Sequence, residues 1–246
     1  MARPRAGSQS ADDLIRAALA KLAGRYGLPS QPAHQLERLH DLLLTDPRAP
    51  TSIRTSRGVL EDHLADSLVA LEVPALTAAE TILDLGSGAG LPGLPLAIAL
   101  PRISFILLES SSRKCAFLAR AVEVCGVANA EVAHARAESF VAGRGNYDVV
   151  TARAVGPLAV TAEYAAPLLR VGGCLVVWQG RRDPDADRAL AQAAGELGFG
   201  EAEIRRVLPY QTAANRHLYL LTKVRQTPDR FPRRPGMALK RPLGRP

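Results

Sequence analysis

A glycine-rich stretch is the part of the sequence whose residue types and spacing are best suited to binding a ligand. Residues 83–93 read LDLGSGAGLPG, and Gly86, Gly88 and Gly90 follow a short apolar run and precede a predicted helix. Glycines at such a turn adopt positive φ and let a ligand approach the backbone closely. The N–H groups at the start of the following helix point towards whatever binds there. The stretch predicts a ligand-binding loop, although a tight turn without a ligand is the alternative.

Two carboxylates near this loop narrow the class of ligand. The glycine spacing is GxGxG, which differs from the GxGxxG of dinucleotide-binding loops. Asp84 lies two residues before Gly86, where an acid suits the cationic groups of S-adenosylmethionine but would repel a pyrophosphate. Glu109 lies 23 residues after Gly86, at the end of the next predicted strand, where it can accept hydrogen bonds from ribose hydroxyls. The loop therefore favours S-adenosylmethionine, and an NAD-dependent oxidoreductase is the alternative.

Two further segments place candidate residues after later strands. HARAES (134–139) follows the third predicted strand, and its Ala137 and Glu138 are candidates to flank an adenine, with an ordinary turn as the alternative. TARAVGP (151–157) follows the fourth strand and carries Arg153. A guanidinium can donate two hydrogen bonds to a base edge or a phosphate, and it can stack on a base. We therefore predict a catalytic positioning role for Arg153, with a surface ion pair as the alternative.

The motifs that are missing also bear on the reaction. The Asn-Pro-Pro-aromatic motif typical of enzymes that methylate exocyclic amines is absent from residues 151–157. Cys115, Cys125 and Cys174 lie in apolar stretches without an adjacent base, and no metal-ligand spacing is present, so we expect neither a thiolate nucleophile nor a metal. A ring nitrogen with a free lone pair, such as guanine N7, needs no general base and no covalent intermediate. The missing motifs are therefore consistent with N7 methylation.

The order of predicted elements indicates how these residues are held. Short apolar strands alternate with helices from residue 81 onwards, which is typical of a doubly wound α/β sheet. No helix separates the last two strands, so the final strand is expected to pair antiparallel. Seven strands ending in a hairpin predict the α/β fold of class I S-adenosylmethionine-dependent methyltransferases, with a Rossmann-like seven-stranded sheet. The predicted strands are 81–85, 103–109, 130–135, 147–152, 174–178, 201–208 and 217–224, with helices including 113–125, 157–169 and 185–197.

The chain divides into four predicted parts. Residues 1–10 are predicted to be disordered, and residues 11–75 form an N-terminal helical extension with leucines at helical spacing. Residues 76–224 form the methyltransferase domain, and residues 225–246 form a basic, Pro-rich tail. The predicted helices of the extension span about 11–26, 31–44 and 59–71.

The distribution of charge singles out the end of the chain. The formal net charge is +7, and residues 223–246 carry eight Lys or Arg and one acid, so the rest of the chain is neutral. A basic tail predicts contact with a polyanion through phosphate neutralisation, and a merely solubilising tail is the alternative. No apolar run reaches the roughly 18 residues of a membrane span, and the first residues lack the apolar core of a signal peptide. We therefore expect a soluble cytoplasmic protein without a membrane partner.

Taken together, these motifs resemble one family, the bacterial 16S ribosomal RNA guanine-N7 methyltransferases (RsmG, also called GidB). Several spaced motifs in the right order are more specific than the glycine loop alone. The segments that carry the resemblance are EDHLADSL (61–68), LDLGSGAGLPGLPLAI (83–98), HARAE (134–138), DVVTARAV (148–155), RHLYLLTKV (216–224) and FPRRPGMALKRPL (231–243).

The resemblance implies a function and a set of site residues. It implies methyl transfer from S-adenosylmethionine to N7 of a guanine in the 530 loop of 16S rRNA, with the small ribosomal subunit as partner and the enzyme as a monomer. A catalytically silent RNA-binding or ribosome assembly factor with the same fold is the alternative. The implied cofactor contacts are Gly86, Leu91, Ala137, Glu138 and Arg153, beside Asp84, Gly88 and Glu109 from the residue argument. The implied or predicted RNA contacts are His63, Arg181, Arg216, Arg233, Arg234, Lys240 and Arg241.

Overall fold

The centre of the molecule is one seven-stranded sheet. The structure is a computed structural model that describes residues 11–244, so the prediction of disorder for residues 1–10 lies outside the described residues. The sheet order is β3-β2-β1-β4-β5-β7-β6. The strands are β1 (Thr81–Leu85), β2 (Ser104–Glu109), β3 (Ala130–His134), β4 (Tyr147–Arg153), β5 (Leu169–Gln179), β6 (Glu203–Arg206) and β7 (His217–Thr222).

The direction of the last strand follows from its connection. β1 to β5 run parallel, and β7 pairs antiparallel with both β5 and β6. A short connection without a crossover helix can only return the chain antiparallel. The predicted class I methyltransferase sheet, with its final antiparallel strand, is therefore confirmed. All carboxyl ends of the parallel strands meet at one edge, which is where ligands bind in such sheets.

Helices cover both faces of the sheet, and one of them corrects a predicted boundary. α8 ends at Ala165, whereas the sequence predicted helix to residue 169. Pro167 has no backbone N–H with which to continue the helical hydrogen bonds, and β5 begins two residues later at Leu169. The helices after β1 are α6 (Gly93–Ala99), α7 (Ser112–Cys125), α8 (Leu158–Ala165), α9 (Pro184–Leu197) and α10 (Met237–Lys240), with two short 3-10 turns, Ala137–Ser139 and Val141–Gly143.

The N-terminal helices pack on one face of this sheet. α1 (Ala11–Arg25) and α2 (Ser30–Thr45) lead to a continuous helical segment, 56–72, which contains a π-helical section at Val59–Ala65. Leu60 and Leu64 of this section, Ile82 of β1 and Leu107 of β2 belong to one apolar core, in which each of these buried side chains contributes about 1.5–3 kcal/mol. The remaining pieces are α3 (Ser56–Gly58), α4 (Asp66–Leu68), a 3-10 turn (Val69–Glu72) and α5 (Pro74–Thr77).

The basic tail packs against the opposite face. Phe231 and Ala238 are 2% and 1% exposed, and both belong to the apolar core formed with α8 and α9. Lys223 at the end of β7 is also buried, and its Nζ donates to the carbonyl of Ala166 and to Thr227. The buried Phe231 ring and the hydrogen bond from Lys223 to Thr227 tie the tail to the sheet. Within the described range, 11–244, no helix has the length and apolarity that crossing a bilayer requires.

Candidate active site

The glycine loop has the backbone geometry that its sequence predicts. Gly86, Gly88 and Gly90 have φ values of 68°, 57° and 84°, in the left-handed region that favours glycine. A Cβ on Gly86 would lie 3.0 Å from the Val155 side chain, so strain and lack of space both act against a larger residue. Gly86 itself is exposed at the carboxyl edge of the sheet. The loop therefore presents bare backbone to a ligand.

Asp84 lies beneath this loop and does not reach the ligand side. Its carboxylate is fully buried, accepts a hydrogen bond from Thr151 Oγ1 at 2.8 Å and accepts another from the Gly93 N–H at 3.2 Å. Burial raises the pKa of this carboxyl, while its hydrogen bonds with Ser87 and Thr151 act in the opposite direction. Asp84 therefore ties the loop to β4 and to the start of α6, and its contact with the cofactor stays a prediction.

Glu109 stands at the end of β2, beside the loop. Its carboxylate accepts hydrogen bonds from the backbone N–H groups of Gly88 at 3.0 Å, Ser110 at 2.8 Å and Ser111 at 2.9 Å. Oε1 accepts from the Ser110 and Ser111 N–H groups and from the Ser110 hydroxyl at 3.4 Å, whereas Oε2 accepts, among the described residues, only from the Gly88 N–H, so Oε2 has room for a ligand hydroxyl group. Glu109 thus fixes the second glycine of the loop and lines the ligand side of it.

A cleft at this edge, here named the cofactor cleft, has a volume of about 260 Å³ and brings together several predicted residues. Gly86, Glu109, Ala137 and Glu138 all line it, although they come from three separate segments of the chain. Leu91, by contrast, is buried in the apolar core and is not among the lining residues. The other described residues that line the cofactor cleft include Lys114, Arg136, Ala154, Val155, Tyr164, Gly236 and Leu239.

The tail supplies one wall of the cofactor cleft. The Gly236 N–H donates to Glu138 Oε1 at 3.1 Å, and Leu239 lines the cleft. Arg233 anchors this part of the tail, because its backbone N–H and Nε donate to Glu163 Oε1 at 3.0 and 2.8 Å. Glu163 is 1% exposed. The tail is therefore part of the folded domain, and Arg233 is engaged inside it rather than free for phosphate.

A second cavity of about 370 Å³ lies on the other side of Ala154, which lines both spaces. Ala154 has a φ of 56°, and among residues 11–244 it is the only non-glycine residue with positive φ. Such a backbone conformation is strained in a residue with a Cβ, and strain of this kind clusters at functional sites. Arg153 lines this second cavity, next to Ala154, and its contact with the cofactor stays a prediction. The second cavity is lined by Asp66, Arg153, Ala154, Gly156, Trp178, Gln179, Gly180, Val207, Arg216 and His217.

Two carboxylates of the helical segment hold the arginines of the second cavity. Arg153 Nη1 donates to Asp66 Oδ2 and to the Asp62 carbonyl, both at 3.0 Å. Arg216 pairs with Asp62 at 2.9 Å and lies 3.2 Å from Asp66 Oδ1, which has no hydrogen-bond partner of good geometry. The indole N–H of Trp178 donates to the Asp66 carbonyl at 2.6 Å. The segment 56–72 therefore fixes one side of this cavity, and burial raises the pKa of Asp66 against the pull of Arg153.

His63 does not face either cavity. The side chain is 7% exposed, and its Nε2 lies 2.7 Å from Thr51 Oγ1. Burial, with Arg153 nearby, lowers the pKa of His63 to about 4, so the imidazole is neutral at pH 7. A buried neutral ring offers no cation to a polyanion, and the contact of His63 with RNA stays a prediction.

The other predicted RNA-binding residues fall into two groups. Arg216 and Arg233 are held by buried or half-buried carboxylates, as described above. Arg181, Arg234 and Lys240 are exposed, and within residues 11–244 the structure gives them no ion pair. Arg241 is likewise exposed. The exposed cations remain available to a polyanion near the two cavities, and their contact with RNA stays a prediction.

Sequence reasoning missed Ala154, Asp62, Glu163 and Tyr164. A lone acid in the otherwise apolar helix LAVTAEYA was a usable sign that Glu163 has a buried partner. Positive φ at an alanine leaves no sign in the sequence, because alanine is common in every element. Tyr164 lines the cofactor cleft, and burial beside Glu138 raises its pKa to about 12.

The cysteines and acidic clusters show no further chemistry. Burial raises the pKa of the Cys125 and Cys174 thiols to about 12 and 11, which leaves them protonated at neutral pH. The Cys115 thiol donates to the Glu109 carbonyl, and burial raises its pKa as well. Across the described part of the chain, no three His, Cys, Asp or Glu side chains are grouped so that they could hold a metal ion.

Solved structures share the fold of this protein. A methyltransferase from Aquifex aeolicus that depends on S-adenosylmethionine superposes with a TM-score of 0.53 at 16% identity, covering 77% of this chain and 98% of that one. An O-methyltransferase from Thermotoga maritima superposes with a TM-score of 0.54 at 16% identity, covering 78% and 73%. At such identities the likeness concerns the fold alone. The fold and the glycine loop define a class I S-adenosylmethionine-dependent methyltransferase.

The sequence comparisons define the family within that class. The family described as rRNA small subunit methyltransferase G (GidB) matches residues 34–212. A ribosomal RNA small subunit methyltransferase G of Rubrobacter xylanophilus is 41% identical over 196 residues, covering 77% of this chain and 75% of that protein. The protein of the same name from Chloroflexus aggregans is 39% identical over 225 residues, covering 89% and 94%. This chain belongs to the rRNA small subunit methyltransferase G family, which confirms the resemblance seen in the sequence.

Proposed function

We propose that this protein transfers the methyl group of S-adenosylmethionine to N7 of a guanine in the 530 loop of 16S rRNA. The observation that carries the proposal is the pair of cavities that meet at Ala154. One is lined by the glycine loop and the carboxylates Glu109 and Glu138, which suit a nucleoside, and the other by arginines and Trp178, which suit a base. Membership of the family supports the rRNA substrate.

The arrangement favours a direct displacement without a general base. Guanine N7 carries a free lone pair, so the enzyme has to hold the nitrogen in line with the methyl–sulfur bond. Orientation of this kind can supply on the order of 7–11 kcal/mol of the barrier. The neutral His63 does not line either cavity, and the buried thiols of Cys125 and Cys174 stay protonated. The residues around Ala154 therefore act by positioning.

The residues of the cofactor cleft fit S-adenosylmethionine. Glu109 would accept hydrogen bonds from the ribose, Ala137 and Glu138 would flank the adenine, and the exposed backbone of Gly86 would lie against the methionyl part. When bound, the cofactor supplies an activated methyl group on a sulfonium. The tail residues Gly236 and Leu239 would then exclude water from one side of the bound molecule.

The target base has to leave its stack to enter the second cavity. Single-stranded loops make this easier than duplex RNA does, which supports a loop of the small subunit RNA as substrate. The exposed Arg181, Arg234 and Lys240 would neutralise phosphates of the RNA that flanks the base. Each phosphate contact contributes about 0.7–0.9 to the salt slope of binding. Replacing any one of these three residues by alanine should make the dependence of log K on log salt concentration less steep by about that amount. An unchanged salt dependence would show that the replaced residue does not contact RNA phosphate.

The proposed function is tested by nucleoside analysis after the reaction. Small ribosomal subunits that lack the modification are incubated with the protein and S-adenosylmethionine, and the digested RNA is analysed by mass spectrometry. We expect one 7-methylguanosine for each subunit with the wild type and none with Gly86→Asp. S-adenosylmethionine binding without 7-methylguanosine would favour the silent assembly factor instead. A cytoplasmic location and a monomeric state belong to the same proposal.

A further inference from the structure

One buried carboxylate of the N-terminal extension holds two arginines from different elements. Asp46, directly after α2, is 5% exposed, and its Oδ1 accepts hydrogen bonds from the backbone N–H of Arg48 at 2.8 Å and from Arg48 Nε at 3.1 Å. Asp46 Oδ2 accepts from Arg48 Nη2 and pairs with Nε of Arg120 on α7, both at 3.1 Å. The hydrogen bonds from Arg48 hold the pKa of Asp46 below its usual range, so the carboxylate is charged at neutral pH. Asp46 therefore brings two guanidinium groups together.

Both arginines remain open to solvent although Asp46 holds them. The side chains of Arg48 and Arg120 are 62% and 48% exposed, and within residues 11–244 neither pairs with a second acid. The loop that carries Arg48 is fixed as well, because Arg54 donates to the carbonyls of Asp46 and Ala49. Exposed guanidinium groups in fixed positions present planar sets of donors, which match the oxygens of a phosphate. Two cations and one acid leave a net charge of +1, which one phosphodiester neutralises.

The second arginine exceeds what Asp46 itself requires. Arg48 alone gives the carboxylate three hydrogen bonds, two to Oδ1 and one to Oδ2. At the other end of the sheet, Asp148 near the start of β4 is paired, among the described residues, with the single arginine Arg170. An acid that only has to be neutralised within the fold needs one cation. The surplus cation at Asp46 is what a surface that binds an external anion requires.

The position of this cluster relative to the second cavity suits a nucleic-acid strand. The loop that carries Arg48 also carries Thr51, whose Oγ1 lies 2.7 Å from His63 Nε2 on the helical segment. Three residues further along that segment, Asp66 lines the second cavity. The helices α2 and α7 pack on the face of the sheet opposite the tail. A strand whose base enters the second cavity can therefore meet cations on both faces, the exposed tail residues on one and this cluster on the other.

We propose that Arg48 and Arg120, held by Asp46, bind a backbone phosphate of the rRNA strand that flanks the target guanine. The inference rests on the proposed function and assigns a substrate contact to the face of the N-terminal extension. Arg48 and Arg120 contact the phosphate, whereas Asp46 positions them. Phosphate contacts fix the register and orientation of a nucleic acid. Contacts on both faces of the sheet would hold the strand across the two cavities.

The test measures the binding of unmodified small ribosomal subunits to the wild type and to Arg120→Gln over a range of KCl concentrations at constant Mg²⁺. Arg120→Gln is suited to this test because Arg48 continues to pair with Asp46, so no buried charge is left alone. We expect binding weaker by about three- to tenfold, and a dependence of log K on log salt concentration less steep by up to about 0.9. The methyl transfer rate at saturating subunit concentration should stay within about twofold, since Arg120 lines neither cavity.

Two matched variants separate phosphate binding from a structural role. Arg120→Lys keeps the cation and should keep the salt dependence of the wild type. Arg170→Gln removes a similarly exposed, acid-paired arginine at the opposite end of the sheet and should leave subunit binding unchanged. If Arg120→Gln binds subunits with the affinity and salt dependence of the wild type, or if Arg170→Gln weakens binding as much, the proposal is overturned and the cluster only ties α2 to α7. Subunits that bind without formation of 7-methylguanosine would instead contradict the proposed function.

Discussion

Replacing Arg233 by methionine should release the tail and weaken the binding of S-adenosylmethionine. Arg233 is the partner of Glu163, which is 1% exposed, and its Nε and Nη2 both donate to that carboxylate. Removing one member of a buried ion pair typically costs about 3–5 kcal/mol, because the remaining charge is left without its partner. This part of the tail forms a wall of the cofactor cleft through Gly236 and Leu239.

The size of the effect follows from the other contacts of the tail. Burial of the Phe231 side chain, 2% exposed, contributes about 1.5–3 kcal/mol to docking, which is less than the loss of the ion pair. The docked state should therefore become the minor state in Arg233→Met. A binding-competent fraction of about one tenth raises the apparent Kd about tenfold. Calorimetric titration with S-adenosylmethionine measures this, and hydrogen exchange across residues 231–240 reports the undocking.

Two controls separate the ion pair from a general loss of charge. Arg230 lies in the same tail and pairs with Glu196 at 3.4 Å, but both side chains are at least half exposed, so Arg230→Met should leave the affinity nearly unchanged. The double variant Glu163→Met with Arg233→Met leaves no buried charge and should recover most of the affinity. If Arg233→Met binds the cofactor as tightly as the wild type, with the tail still protected, the structural role of the tail is refuted.

Three further predictions concern the loop and the buried ionisable groups. Gly86→Ala should weaken S-adenosylmethionine binding at least about tenfold, because positive φ costs roughly 1–2 kcal/mol in alanine and its Cβ would press on Val155. A calorimetric Kd equal to that of the wild type would contradict this prediction. The pKa of His63 is lowered from 6.5 to about 4, so the unfolded chain binds more protons between these values and stability falls as the pH drops through that window. Urea unfolding should show about 3 kcal/mol more loss from pH 6.5 to 4 in the wild type than in His63→Gln, and parallel curves would place His63 elsewhere. Burial lowers the pKa of Lys223 from 10.5 to about 8, so the charged side chain destabilises the fold fully below pH 8 and less as the pH rises towards 10.5. Lys223→Met should therefore lose the rise in Tm between pH 8 and 10.5. An unchanged dependence of Tm on pH would show that Lys223 is not its source.

The sheet could be predicted from the sequence because its signals are local. β1 was predicted with its exact bounds, Thr81–Leu85, since an apolar run ended at a glycine turn. The antiparallel final strand followed from the lack of a helix before it. The start of β5 at Leu169 could not be predicted, because two glycines interrupt the apolar pattern after its first residues. These first residues pair with β4 across a shift in register between Tyr147 and Val149. Pairing of this kind depends on the partner strand and not on local propensity.

The cofactor cleft was more predictable than the second cavity for a physical reason. Gly86, Glu109 and Glu138 each lie at or just after the end of a strand, and the carboxyl ends of parallel strands meet at one edge. The second cavity is closed by residues far apart in the chain, such as Asp66 on the helical segment and Arg216 beside β7. Their ion pairs depend on how the N-terminal helices pack on the sheet. The interior position of Asp84 could not be predicted, because sequence distance from a loop does not show whether a side chain points to the ligand or to the interior.

The roles of the basic residues show the limit of an argument from charge. Charge alone treated Arg233 and Arg234 alike, although they are adjacent. In the structure Arg233 is paired with buried Glu163, whereas Arg234 is exposed. Whether a cation is free or internal is decided by the position of its acid, which the sequence does not state.

The central claim is that the two cavities joined at Ala154 carry methyl transfer to a guanine N7, and labelled S-adenosylmethionine tests it most directly. The wild type is incubated with unmodified small ribosomal subunits, and the labelled position is mapped by strand cleavage at N7-methylguanine. We predict label at a single guanine of the 530 loop, abolished by Gly86→Asp. Firm binding of the cofactor with no label in any ribosomal RNA, or with label at an atom other than N7, would contradict the account.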